Sequence, residues 1–261
     1  MLSVLKSYCT WEEEDIVVKN IPHALSNEVY QVIHKSTNEM ILVRVYLDQE
    51  RAKSLDLKIS KELGELGLGP KILSACPAGS CEEWIKGRTM SYEEMLSEEY
   101  MNKLASAIRV IHDAGITHND LHHNNFMIDD TNAVRLIDFE YAKRNSTDTD
   151  ILLDLANHFC EWMYNYNSED WHIPRQLGDQ FDDLAMRFLT TYYSPDDPPE
   201  GCLAAILAQQ YHIHVKWIQW GLDFFDHTQE QKYLSYAVAR ARIDPDVMAA
   251  FSKETKWLAH L

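Results

Sequence analysis

Residues 118–140, HNDLHHNNFMIDDTNAVRLIDFE, decide how the rest of the chain is read. His118-Asn119-Asp120 is followed five places after the acid by Asn125, and a short apolar hairpin then returns to Asp138-Phe139-Glu140. Phe126-Met127-Ile128 and Val134-Arg135-Leu136-Ile137 read as two short strands, with Asp129, Asp130, Thr131 and Asn132 supplying the turn. A regular ladder between them brings Asp138 to within a residue or two of Asn125. An acid and an amide then converge on one point.

Phosphoryl transfer asks for that arrangement. It needs an acceptor hydroxyl held in line with a base nearby, and magnesium on the nucleotide phosphates. Carboxylate and amide oxygens are the hard ligands magnesium prefers, and one or two of them suffice beside phosphate and water. Asp120 stands where the base would be, and Asn125 and Asp138 where the metal ligands would be. The order H-x-D-x-x-x-x-N, hairpin, D-F resembles the catalytic and metal loops of the protein-kinase-like superfamily. Either motif alone is also an ordinary turn signal. The two in sequence, with a strand pair between them, carry the reading.

Working outward, 261 residues allow one large domain or two lobes, with room for a substantial core. No apolar run approaches the ~18 residues of a membrane span, and Met1 to Cys9 is too short and polar for a signal peptide, so a cytoplasmic protein without stable membrane insertion is expected. The five cysteines are odd in number and lack zinc-like spacing, which suits reduced thiols. A net charge of −17 argues against nucleic acid and anionic membranes as partners. It suits a cationic substrate and metal ions, although a solvated acidic surface explains it equally.

Three strands open the chain, Asp15–Asn20, Glu28–His34 and Met40–Tyr46. A helix over Gln49–Leu68 follows, with Leu55, Ile59, Leu63 and Leu66 on one face and Gly67-Leu68-Gly69-Pro70 as its stop. Lys71–Ala75 and Cys81–Ile85 are two more strands. Helices are predicted beyond Gly87 at Tyr92–Ala114, Asp150–Tyr166, Gln176–Tyr193, Gly201–Phe225, Glu230–Arg242 and Pro245–Leu258. The expected class is α+β, a two-lobed protein-kinase-like fold. Residues 1–86 form a small β-rich N-lobe that covers nucleotide, and 87–261 a larger, mostly helical C-lobe holding the catalytic hairpin. No internal repeat or low-complexity segment interrupts this pattern.

In the N-lobe, the turn between the first two strands, His23-Ala24-Leu25-Ser26-Asn27, lacks the glycines that let backbone amides approach phosphate. Ser26 and Asn27 are its candidate phosphate contacts. Arg44 alternates with apolar neighbours on the third strand, where a phosphate-binding cation belongs, and its guanidinium offers a fork to phosphate oxygens. A solvent-facing strand position accounts for it as well. A carboxylate on the following helix should orient it, Asp56 first and Glu62 behind. Glu83, Trp84 and Ile85 could present backbone groups to adenine, and an ordinary core strand is equally compatible.

Leu25-Ser26-Asn27, Leu42-Val43-Arg44-Val45-Tyr46, Leu68-Gly69-Pro70-Lys71, the HNDLHHNN loop, IDFEYA and above all Asn157-His158-Phe159-Cys160-Glu161-Trp162-Met163-Tyr164-Asn165-Tyr166 together resemble the choline/ethanolamine kinase family. The Cys-Glu-Trp-Met-Tyr core looks more like its choline kinases. The resemblance implies transfer of the ATP γ-phosphoryl group to the hydroxyl of choline, the first step of one route of phosphatidylcholine biosynthesis. It implies that Asp120 is the base, that Asn125 and Asp138 hold Mg2+ with Glu140 as an outer acid, and that Arg44 binds phosphate. It places Trp217, Trp220, Tyr236, Tyr166 and Glu161 in a choline pocket, to which Asp120 also turns. The chain departs from the family at three places. His122 stands where the family has glutamine, glycines are absent before Leu25-Ser26-Asn27, and a helical insertion before the catalytic loop is missing.

The aromatic residues fit on physical grounds too. A quaternary ammonium donates no hydrogen bond, so ring faces and nearby carboxylate charge must recognise it. Trp217 and Trp220 share a helix face with His214. Core packing is the common fate of such a stripe, and the family likeness is what turns it toward a site. His118 and His122 have i, i+4 spacing but lie in a predicted loop, so zinc is not expected, and Asp154 reads as a cap or loop anchor. Ethanolamine or another small amino alcohol is the alternative acceptor. A pseudokinase binding module, suggested by the glycine-free turn, is the alternative class, and the sequence leaves a homodimer open.

Overall fold

Alternating side chains assemble the first sheet. In the computed structural model, which describes residues 1–21, 27–47 and 55–243, Ile16–Ile21 (β1), Asn27–His34 (β2), Met40–Tyr46 (β3), Ile72–Cys76 (β4) and Gly79–Glu83 (β5) form an antiparallel sheet in the order β1-β2-β3-β5-β4. Val32, Ile41, Val43 and Cys81 point to one face and bury against Val4 and Leu5 of a short helix, Leu2–Leu5 (α1). Side chains alternate along a strand, so Arg44 emerges on the opposite face from Val43. Helix α2, Leu55–Glu65, buries Ile59 and Leu63. It stops as expected at Gly67, whose φ of 74° is the left-handed conformation glycine adopts without strain.

The predicted hairpin forms. Phe126–Asp129 (β8) pairs with Val134–Leu136 (β9) in the register Phe126↔Leu136, Met127↔Arg135, Ile128↔Val134. One carboxylate oxygen of Asp129 accepts from the Thr131 and Ala133 amides at 2.9 and 3.0 Å, which closes the turn, and Asn132 takes φ of 64°. A third strand, Gly87–Thr89 (β6), joins β8, and a Cβ at Gly87 would stand 2.2 Å from the Ile128 carbonyl, so only glycine fits.

The chain divides into two units. Met1–Thr89 together with Phe126–Lys143 makes the first, and Met90–Asn125 together with the chain from Arg144 makes the second. The hairpin, assigned to the C-lobe from sequence, therefore groups with the N-terminal sheet. Its long-range partners explain this: the Leu136 amide donates to the Leu68 carbonyl at 2.7 Å, and Arg135 reaches Glu83 at 3.1 Å. Such partners, 68 and 52 residues upstream, leave no trace in local periodicity.

The second unit is helical: Tyr92–Met95 (α3), Glu98–Asp113 (α4), Asp148–Glu161 (α5), Gln180–Tyr193 (α6), Cys202–Leu207 (α7), Gln210–Thr228 (α8) and Gln231–Ala241 (α9), with a two-residue strand, Ile116–Thr117 (β7). Three predicted helices end or break differently. Tyr92–Ala114 is interrupted because Ser97 caps a fresh helix, its side chain accepting from the Tyr100 amide. Gly201–Phe225 divides at Ala208-Gln209 into α7 and α8. Asp150–Tyr166 ends at Glu161, which leaves Tyr164 and Tyr166 on the loop beyond. The predicted helix Pro245–Leu258 lies outside the described residues.

The core of this unit surrounds Trp162, whose ring lies 4.6 Å from Phe159 and 5.7 Å from Phe181. Each such fully buried aromatic or aliphatic side chain contributes roughly 1.5–3 kcal/mol. Helices α8 and α9 pack through Ile218, Leu222, Leu234 and Ala237. No helix among the described residues is long and apolar enough to cross a membrane.

Candidate active site

In the second unit, the loop after β7 is hung from α5 by buried polar groups. The carboxylate of Asp154, fully buried, accepts from the His118 amide at 2.7 Å, the Asn119 amide at 2.6 Å and His112 Nε2 at 3.0 Å. One turn on, Asn157 Oδ1 accepts from the Leu121 amide at 2.9 Å, and His158 Nδ1 meets the Leu121 carbonyl at 3.0 Å. From α8, Lys216 Nζ donates to the Asn119 carbonyl at 2.7 Å, where Asn119 takes φ of 62°. Backbone groups are thus held by side chains of two helices, and Asp120 is left with its side chain only partly covered. Asp154 is the loop anchor expected of it.

Asn125 Nδ2 donates to both the carboxylate and the carbonyl of Asp120, each at 2.9 Å. An amide that spends its nitrogen in this way turns its oxygen in the other direction, which is the atom a magnesium ligand must offer. Burial pushes the Asp120 carboxyl upward, but His122, 3.5 Å away, with His118 and Lys216 beyond it, outweighs burial and holds it below its usual range. Asp120 is therefore ionised at neutral pH, as a proton acceptor has to be.

In the first unit, Asn27, Arg44, Tyr46, Glu82, Asp138 and Glu140 line one cavity of about 520 Å3, counting space open to solvent. Glu82 Oε1 accepts from Arg44 Nε at 2.9 Å and from the Ser80 hydroxyl at 2.8 Å. On the β3–β5 ladder Leu42 faces Glu82 and Arg44 faces Ser80, so Arg44 and Glu82 are diagonal neighbours on one face. The Glu82 charge raises the Arg44 pKa, more than offsetting burial, and Asp138 adds to it. Asp138 has φ of 63° and ψ of 70°, a conformation uncommon outside glycine. Backbone strain of that kind gathers at working sites.

A second group of residues surrounds Glu161 in the helical unit. Glu161, at the end of α5 and only 1% exposed, accepts from Arg240 Nη2 and from the Tyr166 hydroxyl, both at 2.5 Å. Tyr236 brings its hydroxyl within 3.4 Å of that of Tyr166. Trp220 lies 6.0 Å from Trp217 and 5.9 Å from Tyr236, edge to face in both cases. Trp171 closes a further side at 5.4 Å from Tyr236. The His122 ring, in turn, packs 4.9 Å from Tyr166, so the Asp120 loop and this aromatic group adjoin.

Comparison with known proteins bears on these two sets of residues. The profile of the choline/ethanolamine kinase family matches residues 18–117 and 113–244. The chain belongs to the choline/ethanolamine kinase family. Among its relatives, "Probable choline kinase 1" of Arabidopsis thaliana is 26% identical over 87% of this chain and 85% of its own length. "Choline/ethanolamine kinase" of Homo sapiens is 38% identical over a shorter stretch, 21% of this chain and 14% of its own. The fold is also that of a choline kinase from Cryptosporidium parvum, with a TM-score of 0.73 at 17% identity over 96% of this chain and 92% of the other. A Plasmodium vivax ethanolamine kinase has a TM-score of 0.70 at 17% identity, covering 90% and 83%. The α+β, two-lobed kinase-like class expected from sequence is the class found.

Set against the family pattern, the residues fall as follows. The first unit gathers Asn27, Arg44, Asp138 and Glu140 about one cavity; the second gathers Asp120 with Asn125, and Glu161 with Tyr166, Trp217, Trp220 and Tyr236. Ser26 lies outside the described residues, as does the side chain of Asp56. The carboxylate paired with Arg44 is Glu82 from the neighbouring strand, where the sequence pointed to the helix. Glu83 donates its amide to the Lys71 carbonyl at 2.8 Å and turns its carboxylate to Arg135, while Ile85, just past β5, is buried. Sequence reasoning also missed Arg240, Tyr164 and Lys216. The Tyr-Ala-x-Ala-Arg context of Tyr236 carried the signal for Arg240, since an arginine ending a buried helix face demands a partner. All five cysteines carry free thiols, as expected.

Proposed function

We propose that this kinase transfers the γ-phosphoryl group of ATP to the hydroxyl of choline, giving phosphocholine for phosphatidylcholine synthesis. One observation carries the choice of acceptor: within the helical unit an ionised carboxylate, Asp120, adjoins an aromatic group through His122, which lies 3.5 Å from one and 4.9 Å from the Tyr166 ring. A small alcohol bearing an ammonium group two carbons away is the molecule that such a pairing suits. The rings of Trp217, Trp220, Tyr166 and Tyr236 attract the cation without asking it for a hydrogen bond. Asp120 takes the hydroxyl proton as the oxygen attacks the γ-phosphorus and the bond from that phosphorus to the bridging oxygen breaks, releasing ADP.

Arg44, braced by Glu82 through Nε, binds phosphate oxygens with its remaining guanidinium nitrogens. Ser26 and Asn27 contact the phosphates, and backbone groups at Glu83 and Ile85 meet adenine. The amide oxygen of Asn125 and the carboxylates of Asp138 and Glu140 are the kind of donors Mg2+ prefers, and they would hold an ion that screens the charge on the phosphates. Among the described residues no three His, Cys, Asp or Glu side chains gather as an all-protein metal site. An ion shared with phosphates does not require one. Free thiols are consistent with a reaction in the cytosol.

A coupled ADP-release assay with choline, with ethanolamine and with no acceptor tests the reading. The expected result is choline-dependent release that exceeds release with ethanolamine. Release that does not respond to choline overturns it, and retained choline binding without turnover would mark a binding module instead.

A further inference from the structure

The Glu161–Arg240 pair does more than fill the base of the aromatic group. Both carboxylate oxygens of Glu161 are already engaged, Oε1 by Arg240 Nη2 and Oε2 by the Tyr166 hydroxyl, each at 2.5 Å. Both residues are buried, with Arg240 at 0% and Glu161 at 1% exposure, so the pair presents no net charge to its surroundings. The guanidinium lies over Tyr164 at 4.2 Å, Tyr236 at 4.9 Å and Trp217 at 5.9 Å. Its Nε and Nη1 find no hydrogen-bond acceptor among the described residues. Ring faces, the Glu161 carboxylate and the Tyr166 hydroxyl, 3.4 Å from Nη2, therefore hold Arg240 in place.

The geometry points to Arg240 as the residue that sets the amine class of the substrate: by keeping Glu161 saturated and neutralised, it makes the group of rings accept a fully alkylated ammonium and disfavour a primary one. This rests on the choline reading and adds a residue to it. A primary ammonium brings three N–H donors that must be satisfied when it leaves water, and the buried carboxylate best able to accept them is taken. A quaternary ammonium brings none, and binds through ring faces alone. Tyr236 and Trp217 belong both to the guanidinium's surroundings and to the proposed cation site, so Arg240 also fixes where those two rings stand. Arg240 acts through Glu161 and the rings, and is a positioning residue.

Three substitutions test this. Tyr166→Phe keeps the Arg240–Glu161 ion pair, gives up the 3.4 Å contact of Arg240 with the Tyr166 hydroxyl, and releases Oε2. It is expected to raise kcat/KM for ethanolamine relative to choline by about tenfold, the worth of satisfying one buried donor, with the KM for ATP unchanged. Arg240→Met removes the neutralising charge and should shift the ratio in the same direction, whereas Arg240→Lys should return it toward the wild-type value. Thermal unfolding establishes that each variant is folded; if Arg240→Met is not, Tyr166→Phe decides. Titrating each protein with choline and with ethanolamine in the absence of ATP, followed by tryptophan fluorescence, reads the affinity ratio independently of turnover. A wild type that binds choline but releases no ADP would defeat the kinase reading alone. An affinity ratio unchanged in folded Tyr166→Phe and Arg240→Met overturns the role of Arg240.

Discussion

Asp120 shows how far local spacing can go. Its five-residue interval to Asn125 was legible in the sequence, and the two side chains are hydrogen-bonded at 2.9 Å. Exchanging the carboxylate for an amide removes the proposed proton acceptor but keeps the shape. Asp120→Asn is expected to lower kcat by about a hundredfold or more, with choline binding by tryptophan fluorescence retained; wild-type turnover would refute its role as base. Trp220 tests the other half. Trp220→Ala should raise the KM for choline about tenfold to a hundredfold and leave the KM for ATP alone, as befits loss of one desolvated cation–π contact. An unchanged choline KM would return that tryptophan to ordinary packing. Glu82, by contrast, was illegible: chain order points to a carboxylate on the next helix, and the partner lies diagonally across a ladder whose register no local pattern encodes.

At the scale of elements, two junctions hold the functional side chains. Helix α5 carries the loop that bears Asp120 through Asp154, whose carboxylate accepts from the His118 and Asn119 amides and meets the His112 imidazole. Asp154→Ala leaves those donors without an acceptor and should cost about 3 kcal/mol, read as a fall in denaturation midpoint together with loss of turnover. Helices α8 and α9 meet at Gly221, where an added Cβ would stand 3.1 Å from the Tyr233 carbonyl and 3.2 Å from the Tyr236 ring. Gly221→Val should destabilise by roughly 1–3 kcal/mol and, by displacing Tyr236, raise the KM for choline more than that for ATP. Equal change in both would show that α9 does not position the ring. The type of most of these helices was plain from the 3.6-residue period. Their breaks were not, because Ser97 or the end of α5 at Glu161 reflects caps and tertiary contacts that compete with a period still favouring helix.

For the whole molecule, buried ionisable groups set the response to acid. Burial lowers the pKa of His158 to about 4, against opposing effects from the Leu121 carbonyl and Asp154, and that of His123 to about 4 as well, through burial and the neighbouring His122. Between about pH 6.5 and 4 the unfolded chain takes up a proton at each ring and the folded chain does not, so stability falls as pH falls. Each contributes at most about 3 kcal/mol across that window. Asp154, whose carboxyl burial would raise but His112 and its hydrogen bonds hold low, adds a further loss below the usual carboxylate range. Thermal midpoints measured from pH 7 to 4 should decline, and His158→Phe should flatten the slope; a midpoint independent of pH would contradict the buried neutral state. Chelation by EDTA is expected to abolish ADP release while leaving the thermal midpoint unchanged, since no all-protein metal cluster holds the described residues together. A matching fall in midpoint would assign the metal a structural part.

The sequence by itself determined that Asp120, Asn125 and Asp138 stand at short intervals, because covalent spacing sets them, and it determined the strands and helices wherever one face is continuously apolar. Tertiary structure alone decided that Arg44 rests on Glu82, that the hairpin joins the N-terminal sheet, and that Glu161 is matched by Arg240 from a helix 79 positions away. These pairings join residues far apart in the chain. Their strength comes from being removed from water together, and the burial that supplies it exists only once the helices and strands have packed.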